Sequence, residues 1–352
     1  MLDRYILINH IKAFLLILTV IIGIIYAYLM GEVFLLFKDK SQDILISYTI
    51  NFMLIAFFYM NAFVTGIALL VVFRRILAKK IDLLAQSFGI SPLKLYSSVV
   101  LFSLFLFSLN LLCSYKLYPE SQKNLYRIER EYKKAKEVES GLVRNLWLTN
   151  EENGEVRFYN FELVDISDGR LYRFYMLRVK EGSIKEVVTA EVGKWDGERI
   201  KLRDAKIKNL VTGEELTGDL DISYLELDRI KPLAEKPEHL PMKDVLMLSL
   251  LGDRTGLNHR YYSYEMARRF FSSTLSVFMT LILGWVYLRW RNFNIAIVSL
   301  LAVFSLHWFL LNLMRSLAEG TNLNLFFILM LYLPIPLLSL KGLYDLSKGF
   351  RL

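Results

Sequence analysis

The chain alternates long apolar runs with charged segments, and six of the apolar runs are long enough to cross a bilayer. Three of them precede a long polar insert and three follow it. This pattern predicts an α-helical membrane protein with six transmembrane helices in a three-plus-three arrangement. The runs are Ile11–Phe37, Ile44–Phe73, Leu93–Tyr115, Phe270–Leu288, Asn294–Arg315 and Leu325–Leu340.

The central part of the insert, from about residue 141 to 228, changes to a period of two. Arg199-Ile200-Lys201-Leu202-Arg203 alternates polar and apolar side chains, as expected for a half-buried strand. Pairs of residues typical of tight turns recur along this region, which predicts an antiparallel all-β domain made of hairpins. These pairs are Asn153-Gly154, Asp168-Gly169, Glu181-Gly182, Asp196-Gly197 and Thr212-Gly213.

Both flanks of the β region have helical character. The charged segment Pro119–Val138 predicts a helix that extends the third span beyond the membrane, and Pro241–Arg269 begins with a short interfacial helix before the fourth span. The predicted organisation is therefore three transmembrane helices in 1–118, a β domain with a helical lead-in in 119–240, and the interfacial helix with three further spans in 241–352.

Composition and charge agree with a membrane protein and give it an orientation. The chain is 54% hydrophobic and carries a net charge of +8. Lys and Arg are concentrated in the short loops on the side of the amino terminus, which predicts that both termini are cytoplasmic and the β insert extracytoplasmic. The basic residues flank the spans and form no separate patch with interleaved aromatics, which argues against nucleic-acid binding.

Motifs for catalysis or metal binding are not found in the sequence. No GxxxxGK[ST] loop occurs, and the four histidines lack the spacing of zinc ligands. Carboxylate pairs such as Glu151-Glu152 and Glu214-Glu215 lie beside turn glycines, as solvated loop residues do. We therefore predict no catalytic residue, no metal and no cofactor bound by this chain.

The loop between the second and third spans is more informative. Basic residues, Arg74, Arg75, Lys79 and Lys80, precede the apolar residues of a short amphipathic helix that Gly89 ends, and Ser91-Pro92 begins the next helix. Two interpretations remain open from the residues alone. The segment at about 74–90 either lies on anionic lipid or is a coupling helix that docks into a cytoplasmic ATPase.

Several short motifs occur in a characteristic order around the six spans. They are LLAQSFGIS before span three, Pro119 after it, Glu265 and Arg269 in YEMARRF before span four, and Tyr332-Leu333-Pro334 in the last span. With the three-plus-three layout, they make the chain resemble the LptF/LptG permeases of the lipopolysaccharide export ABC transporter. The chain departs from the usual pattern at Ile81, where the family typically has an acidic residue, and at Ser273 and Ile335.

The resemblance implies a permease subunit of the bacterial inner membrane that extracts lipopolysaccharide. It would pair with a second LptF/LptG-like permease, and a cytoplasmic LptB-like ATPase dimer would use the ATP. The β insert would be jellyroll-like and pass the lipid to LptC/LptA-like periplasmic bridge proteins. The candidate ATPase-coupling residues are Arg74, Arg75, Asp82, Phe88 and Gly89, with Asp82 one position after Ile81.

Lipopolysaccharide carries phosphates, so a permease that receives it needs cations at the outer leaflet. Lys38 and Lys40, beyond span one, and Arg315, at the outer end of span five, are placed there. Glu32 within span one is costly unless paired, so we group it with them as a candidate substrate-binding set. The lysines could instead only anchor the end of the helix.

Glu265 and Arg269 are four residues apart in the order that favours a helical ion pair. We expect an exposed, structural pair that orients span four and contributes only about 0.3–0.5 kcal/mol. Two alternatives to lipopolysaccharide export also remain: a membrane sensor or scaffold with a β ectodomain, and a related permease for another lipid.

Overall fold

The computed structural model describes most of the chain and divides it into two compact units. The helical unit comprises residues 1–135 and 264–352, and the β unit comprises residues 136–263. The boundaries differ from those expected at 118 and 240. The helix before the strands was expected in the β domain but belongs to the helical unit, and the short helix after the strands was expected with the transmembrane helices but belongs to the β unit. The described residues are 2–37, 42–132, 142–152, 154–165, 169–196, 199–223, 236–255, 259–321 and 323–348.

Long helices form most of the helical unit. Within the described ranges, five helices are long and apolar enough to cross a membrane, and they correspond to the first five apolar runs. The chain is thus a multi-pass membrane protein. The five helices are α1 (Leu2–Phe37), α2 (Gln42–Ala78), α5 (Ser97–Tyr115), α8 (His259–Trp290) and α9 (Phe293–Gly320), with the short α3 (Ile81–Ser87) and α4 (Pro92–Leu95) between α2 and α5.

The sixth apolar run is not one continuous helix. It forms α10 (Leu325–Met330) and α11 (Pro334–Lys348), separated by a turn, because Pro334 and Pro336 have no backbone N–H to continue the helical hydrogen bonds. Tyr332 lies in this turn. Its hydroxyl is 2.6 Å from His307 Nδ1 on α9, so the break places a polar side chain against a buried histidine.

Helix α6 (Leu117–Tyr132) packs on the helical unit. Leu125 and Ile128 on its apolar face lie against Tyr48 of α2, whose hydroxyl also donates a hydrogen bond to Glu129 Oε1 at 2.9 Å. The predicted extension of the third span is therefore a separate helix, α6, which packs alongside α2. Glu120, Lys123 and Arg127 are exposed, whereas Leu125 and Ile128 contribute to the core.

Polar and small residues join the spans, as is typical where lipid supplies no hydrophobic drive for helix association. Asn61 of α2 and Asn110 of α5 exchange side-chain hydrogen bonds of 2.9 and 3.2 Å. At Gly66 of α2, an added Cβ would lie only 2.5 Å from Leu300 Cδ1 of α9. Any larger residue at position 66 would therefore require the Leu300 side chain to shift.

The β unit contains one antiparallel sheet of six strands in sequence order, so the predicted all-β insert is confirmed. Of the predicted turn pairs, Glu181-Gly182 and Thr212-Gly213 are described completely, and both fall between strands, whereas Asp196 is the last residue of β4. Glu181 and Gly182 have φ angles of 52° and 73°, as a two-residue hairpin turn requires. The strands are β1 (Leu142–Glu152), β2 (Glu155–Asp165), β3 (Arg170–Lys180), β4 (Ser183–Asp196), β5 (Arg199–Asn209) and β6 (Glu215–Ser223).

A line of exposed residues, which we call the crease, crosses the sheet where regular strand pairing is interrupted. Three of its members, on alternate strands, have the left-handed backbone that L-residues rarely adopt, with φ between 48° and 51°. Glu162 also accepts two hydrogen bonds from the Arg173 guanidinium, at 3.0 and 3.1 Å. The crease comprises Asn145, Glu162, Arg173, Glu191, Asp204 and Asp219, and the left-handed residues are Asn145, Arg173 and Asp204.

The sheet folds over at the crease so that both halves face the same hydrophobic core. Phe161 and Trp195 lie on opposite sides of the crease, yet their rings stack with centroids 5.3 Å apart. The strand register aligns Phe161 of β2 with Ala190 of β4, two strands away, and Trp195 lies five residues beyond Ala190. In a flat sheet, the α-carbons of Phe161 and Trp195 would therefore be about 19 Å apart. On β5, Leu202 and Ala205 are buried while the two residues between them both face outward.

Helix α7 (Met242–Thr255) also belongs to the β unit, where it contacts β1. Val245 and Leu248 on it are buried, whereas Leu246 and Leu250 are exposed. The short helix expected before the fourth span is present, and its apolar residues are divided between a packed face and an open one.

The left-handed backbone at Asp204 gives a test of the crease. The β unit of the Asp204→Val variant should be less stable than that of the Asp204→Gly variant by about 1–2 kcal/mol. Only glycine adopts the left-handed conformation without steric cost. Urea-dependent proteolysis of the full-length protein in detergent, scored by cleavage within the insert, measures the difference.

Lys206, two residues further along β5, is an exposed control without left-handed φ. There the order should reverse, because valine suits a regular strand better than glycine does. If Gly and Val rank the same way at both positions, the strain assigned to the crease is absent.

Candidate coupling and binding sites

The loop between α2 and α5 has well-defined helix ends. Gly89, with φ 74°, ends α3: its N–H bonds to the Gln86 carbonyl at 2.9 Å, and the Ile90 N–H bonds to the Ala85 carbonyl at 3.0 Å. Ser91 then caps α4 by accepting a hydrogen bond from the Lys94 N–H at 3.3 Å. The roles expected for Gly89 and Ser91-Pro92 are both seen here.

The basic residues of the loop lie elsewhere than expected. Arg74 and Arg75 belong to α2, which continues to Ala78, so the helix expected at about 74–90 is reduced to the seven residues of α3. The Arg74 guanidinium lies 5.2 Å from the ring centroid of Phe293, the first residue of α9. Arg74 thus contacts the turn that joins α8 to α9.

One face of α3 is buried and the other presents apolar side chains to solvent. Leu84 and Phe88, one turn apart, are 61% and 76% exposed. The membrane helices are expected to expose apolar groups to lipid, but α3 lies in a loop between two spans. Leu84 and Phe88 therefore form an apolar patch suited to a partner surface.

Asp82 lies on the opposite, buried face of α3. It is only 1% exposed, and its Oδ2 accepts a hydrogen bond from Nη2 of Arg291 in the turn between α8 and α9. The carboxylate therefore does not stand beside Leu84 and Phe88 on the exposed face. The family resemblance implies an acidic residue at position 81, where this chain has an isoleucine.

A cluster of charged and aromatic side chains surrounds Glu265 on α8. The Glu265 carboxylate accepts two hydrogen bonds of 2.7 Å from the Arg268 guanidinium and one of 2.8 Å from Arg269 Nε. Glu265 is 2% exposed and Arg269 is 0% exposed. The expectation of an exposed pair was therefore wrong, because α8 turns this face toward the neighbouring helices.

The neighbouring helices contribute further partners of the two guanidiniums. Arg268 donates to the hydroxyl groups of Tyr59 on α2, at 2.6 Å, and Tyr118 on α6, at 3.0 Å. Arg269 donates to the backbone carbonyl of Ser114 on α5 at 3.3 Å. The cluster thus connects four helices, and the Glu265 carboxylate and the two guanidiniums together carry a net positive charge.

Arg268 was not among the residues singled out from the sequence. A local signal was available, since the adjacent arginines lie three and four residues after Glu265 and both positions face it on a helix. The tyrosines could not be found in the same way, because they come from distant parts of the chain.

The candidate substrate-binding residues are only partly described. Lys38 and Lys40 lie outside the described residues. Glu32 belongs to α1, but its side chain is also outside the described part. Arg315 is exposed on α9, and its Nε donates to Glu319 Oε1 at 2.8 Å, one helical turn away. From the sequence we expect Glu32 to pair with Arg315 or Lys38, and this pairing stays a prediction.

The structure is that of a multi-pass helical membrane protein with an inserted antiparallel sheet. Comparison with known protein families makes the assignment specific. The chain belongs to the LptF/LptG family of lipopolysaccharide export system permeases, whose family model matches residues 4–348. The resemblance found from the short motifs is thereby confirmed.

A relative from Aquifex aeolicus (strain VF5) is similar over its entire length. It is 30% identical over 355 residues, which cover 100% of this chain and 99% of the relative, and it is described only as an uncharacterized protein. The shared length includes both the helical unit and the β unit.

Replacing Glu265 with Gln should destabilise the protein by about 3–5 kcal/mol, because two buried guanidiniums would lose their common carboxylate. Thermal unfolding of the detergent-solubilised protein measures the loss. The exposed Arg315–Glu319 pair has the same chemistry and nearly the same spacing, so Glu319→Gln should change stability by less than about 1 kcal/mol. Equal losses for the two variants would contradict the importance of burial.

Proposed function

We propose that this chain is the lipid-extracting permease subunit of a lipopolysaccharide export ABC transporter in the bacterial inner membrane. It pairs with a second LptF/LptG-like permease, and an LptB-like ATPase dimer drives the pair. Family membership supports the transport role. The sequence has no GxxxxGK[ST] loop for ATP hydrolysis, so in this proposal the partner ATPase hydrolyses the ATP.

The observation that carries the ATPase partnership is the apolar patch on α3. Leu84 and Phe88 are exposed on a helix whose opposite face is buried and whose two ends are fixed by Gly89 and by the end of α2. Such a short, rigid, apolar projection fits a groove on a soluble partner. The neighbouring positive charges at the end of α2 support a cytoplasmic position for it.

The β unit then lies in the periplasm and receives the lipid. Its sheet is an open meander in which, among the described strands, β1 and β6 each pair on one side only. A strand edge of this kind can add a strand from another sheet, as transfer to LptC/LptA-like bridge proteins requires. The folded sheet also has a continuous apolar interior.

The lipid phosphates would meet cations at the outer ends of the first and fifth spans. Lys38, Lys40 and Arg315 are the residues we assign to this contact, with Glu32 as a balancing charge in span one. Arg315 is already held by Glu319, so its guanidinium reaches a phosphate only if this exposed pair rearranges.

Charges placed on the apolar patch test the ATPase partnership. Leu84→Asp and Phe88→Asp should each prevent co-purification of the ATPase in mild detergent, because a carboxylate cannot be buried unpaired at an apolar interface. Tyr344→Asp on α11, at a side chain that is also more than half exposed, is the matched control and should retain the ATPase.

Retention of the ATPase by both α3 variants would refute this docking surface. If the wild-type protein itself neither recruits an ATPase nor alters ATP turnover, the chain is a sensor or scaffold instead. Lipid identified by native mass spectrometry separates lipopolysaccharide export from transport of another lipid.

Charge reversal tests the proposed phosphate contact. Lys38→Asp combined with Lys40→Asp should weaken photocrosslinking of lipopolysaccharide to the permease and reduce its ATP-dependent export, because phosphates would meet negative charge. The same double reversal at the exposed Lys206 and Lys208 of β5 controls for net charge. Unchanged crosslinking and export in the first variant would show that the lysines only anchor the helix.

A further inference from the structure

The turn between α8 and α9 lies against the end of α2 and against α3. Arg291 in this turn has a left-handed backbone, with φ 52°, and its N–H bonds to the Tyr287 carbonyl at 2.8 Å to end α8. The next residue, Asn292, caps α9 by accepting hydrogen bonds from the Asn294 and Ile295 N–H groups. The turn is thus rigidly joined to both of the long helices it connects.

Asp82 binds this turn from a position inside the protein. One carboxylate oxygen accepts a hydrogen bond from Arg291, and the other, Oδ1, has no hydrogen-bond partner within the part of the chain that is described. The guanidinium is 38% exposed, whereas the carboxylate is almost completely buried. Separation of the pair would leave a buried negative charge without a counter-ion, so the pair resists separation while Asp82 stays buried.

Helix α3 contacts α2 before it and α4 after it, and both of these helices pack on other parts of the helical unit. Phe73 and Tyr287, whose ring centroids are 6.1 Å apart, join the end of α2 to the end of α8. On the other side, α4 packs against α11. Asp82 reaches the α8–α9 turn by its ion pair with Arg291 and so links α3 directly to this turn.

We propose that the Asp82–Arg291 pair couples α3 to the α8–α9 turn, so that a movement imposed on the exposed face of α3 is passed to the fifth span. Asp82 and Arg291 are positioning residues that contact neither ATP nor lipid. This inference rests on the proposed function, and it gives Asp82 a role inside the permease that differs from direct contact with the ATPase.

Asp82→Asn is the most direct test, because it keeps the shape of the side chain and removes the charge that holds Arg291. In the full complex in proteoliposomes, with lipopolysaccharide as the probe, ATP hydrolysis should continue near the wild-type rate. The amount of lipid exported per ATP hydrolysed should fall by about tenfold. A purely structural role would lower the yield or the melting temperature and leave this ratio unchanged.

The double variant Asp82→Asn with Arg291→Gln tests whether the two residues act as a pair. It should lower the ratio no further than Asp82→Asn alone, because the link is already lost. The controls are Asp345→Asn on α11 and Arg289→Gln near the same turn, which change the same charges outside the pair and should leave the ratio unchanged.

The outcomes separate this inference from the function on which it rests. A normal ratio in Asp82→Asn, with an active wild-type complex, overturns the inference and leaves the export function standing. A further loss in the double variant also overturns it, because Arg291 would then act independently. If the wild-type complex moves no lipid when it hydrolyses ATP, the proposed function itself fails.

Discussion

The packing of the helical unit depends on the ion pairs that the buried Glu265 carboxylate makes with Arg268 and Arg269. A charge within a membrane protein must be paired internally, and here one carboxylate serves two adjacent arginines. The excess positive charge is shared with the aromatic hydroxyls and ring faces of Tyr59 and Tyr118. Because these side chains come from α2 and α6, the position of α8 is tied to both helices. The Arg269 hydrogen bond to the Ser114 carbonyl adds the end of α5.

The features that could be predicted from sequence are those determined within a few residues. The turn at Glu181-Gly182, the end of α3 at Gly89 and the start of α4 at Ser91-Pro92 follow from local backbone preferences, and the structure has all of them. The first five spans were equally clear, because an apolar run of sufficient length has few alternatives. The motifs that indicated the family are likewise short and local.

The features that could not be predicted depend on residues brought together by the fold. Asp82 and Arg291 are 209 positions apart, and nothing near either residue indicates the other. Burial of Glu265 depends on which face α8 turns inward, which its helical spacing alone does not reveal. The break between α10 and α11 was signalled by Pro334 and Pro336. The sequence did not indicate that this break would bring the Tyr332 hydroxyl into hydrogen-bonding distance of His307.

The crease has a consequence for how the β unit could change in length. Its left-handed residues occur on β1, β3 and β5. Each of the hairpins β1–β2, β3–β4 and β5–β6 therefore contains one left-handed residue at the crease. A hairpin added at the β6 edge would supply its own left-handed position and prolong the same fold line. An insertion of a single strand would not preserve this alternation. The hairpin is therefore the module by which such a sheet can grow or shrink without flattening.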